Sequence, residues 1–275
     1  MHFSRHPADL DEPGETSRLF DLPDRPVSAV ELLEFDVILY SVGAGVQARE
    51  QIAPVDLYYA NAAYPLRLLS ELEAAGYRGR WISFGSYFEI GEGASSPETE
   101  LGVLNSRHSV PNAYCDSKRV LSRVLAYGRW RASVHHFILP SLYGAGEDSA
   151  RLIPHVLASL RSGDNPPLSA GTQVRQYLHV SDVAQLLVKV ISGGVPPGIF
   201  NLAPTTVHSV REVVQLVFDV SGSSRPPQFG ALKTRDQSMQ YLALDGAALL
   251  GATGWRPEVG LREGIEEYCK PHVAD

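Results

Sequence analysis

Tyr114 and Lys118 stand four residues apart in the segment Tyr114-Cys115-Asp116-Ser117-Lys118, a spacing that sets both side chains on one face of a helix, one turn apart. An ammonium is thereby held beside a phenol. The ordinary phenol pKa is about 10, and a neighbouring positive charge favours the ionised form, so such a pair can pass a proton near neutrality. The spacing alone arises by chance in many helices and gains weight only in company. Ser86 supplies that company. It follows the apolar run Arg80-Trp81-Ile82-Ser83-Phe84, and a hydroxyl at the end of a strand can hydrogen-bond a carbonyl or alkoxide while the phenol moves the proton. The plainer reading of Ser86 is a turn serine that caps its own loop.

The elements that must position these residues follow from periodicity. Asp36-Val37-Ile38-Leu39-Tyr40 reads as a strand and Val55 to Ala75 as a helix; Arg80 to Phe84 is again a strand, Ala113 to Arg131 a helix, and His135 to Leu139 a strand. Strands alternating with helices of this length predict an α/β fold with a doubly wound parallel sheet and helices on both faces. Ligands of such sheets bind beyond the carboxyl ends of the strands, which is where Ser86 falls. From about Gly144 the alternation loosens into Pro- and Gly-rich segments such as Asp164-Asn165-Pro166-Pro167, Val195-Pro196-Pro197-Gly198 and Ser224-Arg225-Pro226-Pro227. A second, smaller lobe is expected there, interleaved with the first. The sheet is assigned to residues 1–143 and the second lobe mostly to 144–275, with the interleaving around 171–203. No internal repeat is found.

Composition excludes several classes of function. The 275 residues are enough for a full core, and the 44% hydrophobic and 20% charged fractions are those of a globular protein. The net charge of −7 comes with mixed signs along the chain, so no basic footprint for nucleic acid is present. Two cysteines, Cys115 and Cys269, lie without metal-ligand or CxxC spacing, and nine histidines show no HExxH pattern. Neither a metal site nor a disulfide framework is expected, and both cysteines read as inert thiols in a reducing compartment. No run approaches the ~20 apolar residues of a membrane span, and the first fifteen residues have no apolar h-region, so a cytoplasmic location is expected.

Several motifs then fall in one order: Asn61, Ser86 in SFGSYFEIGE, YCDSK, LPSLYGAGE, the run from Gly171 through Arg175, Tyr177 and His179 to Val183, GIFNLAP, and Leu250-Gly251 to Trp255-Arg256-Pro257. In that order they resemble the extended short-chain dehydrogenases/reductases, the NAD-dependent epimerase/dehydratase family of nucleotide-sugar enzymes. The resemblance runs from about Phe3 to Tyr268 and implies a Rossmann-type doubly wound sheet with a C-terminal substrate-binding lobe, which makes 1–143 a dinucleotide-binding domain, incomplete at its N-terminus, and 144–275 mostly the substrate-binding lobe. It also implies roles: Tyr114 as general acid/base, Lys118 lowering its pKa and holding the nicotinamide ribose, Ser86 binding the reacting sugar oxygen. Ser41, Val42, Gly43, Asn61, Pro140 and Leu142 would face the cofactor, Asn61 as a supporting hydrogen-bond residue. Tyr87, Ser141, Arg175, Tyr177 and Arg235 would face the nucleotide sugar, the arginines at its diphosphate, where a planar fork binds oxygens bidentately. Taken singly, each arginine reads equally as a solvated surface residue. His179 and Asp182 read as structural, with Asp182 as N-cap of a helix from Val183 to Ile191. In this family the helices of Val55 to Ala75 and Ala113 to Arg131 commonly pair, so a homodimer is expected.

The sequence departs from the family pattern at its start. Members open with a strand, a GxxGxxG turn and a helix that receive the cofactor pyrophosphate, whereas His2-Phe3-Ser4-Arg5-His6-Pro7 is similar to the end of the second family strand and Arg18 to Leu22 to the third. Gly43-Ala44-Gly45 is too short to replace the fingerprint. A start misplaced within a longer reading frame is the favoured explanation; a cofactor-free relative and a substitute segment over the sheet centre are the others. Ile138 and Ser141 also stand where the family commonly has Arg and Asn. The leading expectation is reduction of a nucleotide-linked 4-keto-6-deoxy sugar with NADPH, the cofactor choice resting on Arg5 near the ribose 2′-phosphate, with NAD also possible. A nucleotide-sugar 4-epimerase is the close alternative, and a non-catalytic nucleotide-sugar-binding relative the rival from another class.

Overall fold

The structure is a computed structural model and describes residues 1–4, 15–45, 52–232 and 238–270. The chain opens with β1 (His2–Ser4) and β2 (Ser17–Leu19), a short helix α1 (Ala29–Leu32), then β3 (Val37–Tyr40). Next come α2 (Pro54–Tyr58), a π-helical turn over Tyr59–Ala63, and α3 (Tyr64–Ala74), which together form one continuous helical rod. After β4 (Arg80–Ser86) a 3-10 turn, Tyr87–Ile90, leads through α4 (Glu100–Leu104) to α5 (Ala113–Tyr127), β5 (Ser133–Leu139) and β6 (Ser141–Tyr143). The remainder is α6 (Leu152–Arg161), β7 (Pro167–Leu168), β8 (Val174–Arg175), β9 (Tyr177–His179), α7 (Val180–Ile191), β10 (Gly198–Asn201), β11 (His208–Ser209), α8 (Val210–Ser221), β12 (Gln228–Phe229), α9 (Ala247–Thr253) and α10 (Leu261–Cys269).

The main sheet is parallel, in the order β10-β5-β4-β3. β1 and β2 pair with each other in parallel as a separate ribbon, His2 opposite Ser17. Alternation along β4 sorts its residues between two cores. Trp81 faces one side with Tyr64, Leu68, Leu69, Leu72, Leu121 and Leu125 of α3 and α5. Ile82 faces the other with Phe137 and with Val183, Leu186 and Val190 of α7. Helices therefore cover both faces, as the alternation of strands and helices predicts. A third core joins Ile153, Val156 and Leu157 of α6, Val213, Val214, Val217 and Phe218 of α8, and Ile265 of α10. Each buried side chain of this size contributes about 1.5–3 kcal/mol.

Boundaries differ from the sequence expectation where capping decides them. α5 starts because the Asn112 side chain accepts from the Cys115 N–H at 3.1 Å, and it stops at Tyr127 rather than Arg131 because Gly128 turns extended (φ −71°, ψ 162°). α7 begins at Val180, three residues earlier than expected, with His179 as its N-cap. Asp182 is not the cap: it sits in the first turn and accepts from the Glu258 and Val259 N–H groups at 2.9 and 3.4 Å, tying α7 to the segment before α10. No helix among the described residues is long and apolar enough to cross a membrane.

Candidate active site

Ser86 is the last residue of β4 and the N-cap of the turn that follows, where its Oγ accepts from the Phe88 N–H at 3.3 Å. The serine is therefore both at the strand end and a capping residue, and the two readings of it are compatible. Glu89 completes the box: its Oε1 accepts from the Ser86 N–H at 2.7 Å. Tyr114 occupies the first turn of α5 with its phenol hydrogen-bonded to the Ser86 side chain. Lys118 lies one turn on and donates from Nζ to the Phe84 carbonyl at 3.1 Å. All three side chains are buried, 7%, 8% and 7% exposed for Ser86, Tyr114 and Lys118.

That burial governs their chemistry. Desolvation raises the Tyr114 phenol above its ordinary value, the Ser86 hydrogen bond pulls it down, and the charge of Glu89 adds to the rise. Desolvation likewise lowers Lys118, with Glu89 opposing. The Phe88 ring stands edge-on to Tyr114, centroids 6.3 Å apart, and screens the phenol on that side.

Ser41, Val42 and Gly43 form the loop leaving β3, and Asn61 holds its continuation. Asn61 Oδ1 accepts from the Ala44 N–H at 2.9 Å, while its Nδ2 donates to the Ala44 carbonyl at 2.9 Å and to Ser117 Oγ at 3.0 Å. Its amide is committed to the loop and to α5, so it latches the site. Asn61 can reach Ala44 because the π turn at Tyr59–Ala63 widens the helix there. Gly43 faces the lysine: a Cβ built on it would lie 3.7 Å from Lys118 Nζ and 3.8 Å from Asn61 Oδ1. A side chain at position 43 would fill the space before the ammonium, so the residues present fit a flat ring and ribose bound at this spot. Pro140 and Leu142 flank Ser141 at the start of β6, beside the same strand ends.

In front of Phe88 a cleft of about 750 Å³ opens between the sheet ends and the α6–α8 lobe. Tyr87, Ser141, Arg175 and Tyr177 all line it, and Tyr87 is fixed by a 2.7 Å hydrogen bond between its hydroxyl and Ser141 Oγ. Arg175 lies on β8 with its Nη1 donating to the Val174 carbonyl at 2.8 Å. Arg5 and Arg235 lie outside the described residues. The sequence reading missed Glu147, Arg151, His155 and Phe229, which also line the cleft; they come from segments whose local pattern has no chemical signature. It also missed Glu89, although Ser-x-x-Glu before an apolar residue is the signature of a capping box. No group of three or more His, Cys, Asp or Glu residues able to hold a metal occurs among the described residues.

A family model described as the NAD dependent epimerase/dehydratase family matches residues 8–203. The CDP-abequose synthase of Salmonella muenchen is 22% identical over 215 residues, covering 76% of this chain and 68% of that protein. The UDP-glucose 4-epimerase of Bacillus subtilis (strain 168) is 26% identical over 263 residues, covering 86% of this chain and 74% of the relative. Among solved structures, MoeE5 in complex with UDP-glucose and NAD superimposes with a TM-score of 0.78 at 21% identity, covering 96% of this chain and 86% of that one. At this identity the superposition speaks to the fold.

Proposed function

Since this chain belongs to the NAD-dependent epimerase/dehydratase family, we propose that it is a reductase of a nucleotide-linked 4-keto-6-deoxy sugar, with NADPH as the preferred cofactor and a cytoplasmic place of work. The observation that carries the reading is the junction of Ser86, Tyr114 and Lys118: a strand-end hydroxyl bonded to a buried phenol, with an ammonium one helical turn behind it. A nicotinamide, when bound, would supply the hydride. The chain's own residues do the rest. Ser86 Oγ–H donates to the sugar carbonyl oxygen, Tyr114 gives its proton to the alkoxide that develops there, and Lys118 orients the ribose through the space that Gly43 leaves open. Burial suits this direction of reaction, because a phenol held above its ordinary pKa stays protonated and ready as an acid.

The cleft supports a nucleotide diphosphate beside the sugar. Arg175, Tyr177 and Ser141 line it on one side and Phe229 and Leu168 on the other, so cationic and apolar walls face each other. Loss of water from the sugar is disfavoured, because elimination needs an acid and a base flanking the neighbouring carbon. The side chains next after Ser86 are Tyr87 and Phe88, and the cleft's Glu147 is engaged by Arg151 at 2.9 Å and by the Tyr268 hydroxyl. The homodimer is part of the proposal: Val55 of α2 and Val120, Val124 and Tyr127 of α5 are exposed apolar residues on helices that pack against each other.

The test is stoichiometry. Purified protein given a nucleotide-linked 4-keto-6-deoxy sugar should consume one NADPH per sugar reduced, followed at 340 nm. Turnover of a nucleotide sugar without net loss of NADPH replaces the reductase by a 4-epimerase, the reading that the similarity to a UDP-glucose 4-epimerase favours. Binding of nucleotide sugar with no turnover of either kind leaves a binding protein.

A further inference from the structure

Two residues of the cleft wall, Glu147 and Arg151, are tied to a residue that does not line the cleft, Tyr268 of α10. Arg151 Nε stands 2.9 Å from Glu147 Oε1, and Arg151 Nη2 donates to the Leu142 carbonyl at 3.3 Å. The other carboxylate oxygen, Oε2, accepts from the Tyr268 hydroxyl. That hydroxyl in turn accepts from the Gly144 N–H at 2.6 Å, so one phenol holds both ends of the turn 144–147, which the Glu147 N–H closes on the Gly144 carbonyl at 3.2 Å. α10 has little freedom to move. Ile265 is fully buried, Gly264 stands where a Cβ would lie 2.6 Å from the Tyr143 ring, and Arg161 of α6 donates to the Tyr268 carbonyl. A packing role for Tyr268 would be met by its ring and its bond to Gly144. The further bond to Glu147 gives the phenol a line of contact to a cation in the cleft.

We propose that Arg151 binds the diphosphate of the nucleotide sugar and that Tyr268, acting through Glu147, is the positioning residue that sets its guanidinium for the task. The C-terminal helix thereby takes part in substrate binding without touching substrate. This rests on the nucleotide-sugar reading of the cleft given above. The Glu147 side chain is 8% exposed and that of Arg151 27%, so the carboxylate is turned inward onto its two donors while the guanidinium reaches the cleft. Arg151 Nη1 has no hydrogen-bond partner among the described residues, and it remains to meet an anion. A planar fork suits phosphate oxygens, and with Arg175 lining the same cleft two forks are available to a group that carries two phosphates. The carboxylate offsets part of the cation's long-range attraction. What it gives in return is order: an unsupported arginine surrenders several rotamers when it grips a ligand, and one already held at Nε and Nη2 has fewer to lose.

The probes are inorganic pyrophosphate, which is blind to the nucleobase, and UDP, each titrated into the full chain by calorimetry. Arg151→Gln should weaken both by about tenfold. Tyr268→Phe keeps the ring and removes only the hydroxyl; it should weaken both by about three- to fivefold, with the loss in turnover assays falling on KM rather than on kcat. The deciding protein carries both substitutions. If Tyr268 acts through Arg151, Tyr268→Phe should bring no further loss in an Arg151→Gln background, whereas a purely structural tyrosine would weaken the double variant by the same factor as the single one. Full additivity overturns the proposal, as does a wild type that binds neither probe or an Arg151→Gln variant that binds both as the wild type does. Should Tyr268→Phe not fold, the Arg151 Nε–H reads the same link in the wild-type chain. Its 15N-correlated signal, identified by its loss in Arg151→Lys, should exchange slowly with water and shift when pyrophosphate is added; a rapidly exchanging or unmoved signal overturns the proposal. A wild type that binds UDP through this arginine yet reduces no keto-sugar strikes the functional reading and leaves the Tyr268–Glu147–Arg151 link standing, and an active enzyme whose affinity ignores Tyr268 does the reverse.

Discussion

Two regions meet at the Tyr87–Ile90 turn and differ in how their polar groups are satisfied. Behind the turn, Ser83, Glu89, Ser122 and His136 are shut away from water and bonded to one another and to the backbone of β4 and α5. In front of it, Ser141, Glu147, Arg151 and His155 line a cleft that is open to solvent, and they come from β6 and from the loop and helix that follow it. The rear region is a fixed electrostatic environment whose geometry is set before anything binds. The front is a recognition surface assembled from distant segments and open to a ligand. Substitutions behind the turn should act on rate and on stability, and those in front on affinity.

The largest effect should follow from removing the proton donor at the seam. Tyr114→Phe keeps the ring against Phe88 and should lower turnover by about 10³- to 10⁴-fold with nucleotide-sugar binding intact, measured by steady-state assay and calorimetry. Activity close to wild type would dissolve the distinction between the two regions, since chemistry would not then depend on the buried side. Next in size is an acid-stability effect confined to the rear. His136 has a folded-state pKa depressed to about 3 by burial, so the unfolded chain takes a proton that the native one refuses as pH falls below about 6.5. Stability from this group is present above the unfolded value and is lost as pH drops from about 6.5 towards 3, at about 1.4 kcal/mol per pH unit. Urea unfolding of His136→Gln across that range should show a slope shallower by one proton, and an unchanged slope would mean that water reaches the site. The smallest of the three tests the front. Arg175→Lys replaces a fork by a point charge and should raise KM for the nucleotide sugar about tenfold with kcat little changed, worth about 1.4 kcal/mol. A fall in kcat instead would place Arg175 functionally with the buried groups.

The same division marks what the amino-acid sequence reveals. The Tyr114–Lys118 spacing, the strand before Ser86 and the parallel order of the sheet are local patterns, with periods of 3.6 and 2, and periodicity exposes them. The pairing of Glu89 with Gly85, Ser122 and His136 depends on three strand and helix crossings that no local pattern encodes. Asp182 was legible as structural and not as to what it binds, since its partners Glu258 and Val259 lie 76 and 77 residues away. The cleft wall is harder still, because Glu147, His155 and Phe229 are ordinary residues until the α6–α8 lobe folds against the sheet.

The π turn at Tyr59–Ala63 has a consequence for how this stretch can change over evolutionary time. A π turn holds one more residue than an α turn does, so α2 and α3 are joined in a register that counts on that extra residue. Deleting a single alanine there would restore an unbroken α-helix and swing everything on one side of the deletion by about 100° relative to the other. Either Asn61 would leave Ala44, or Tyr64, Leu68 and Leu72 would leave their core. The length of the helical rod Pro54–Ala74 is therefore held to the residue.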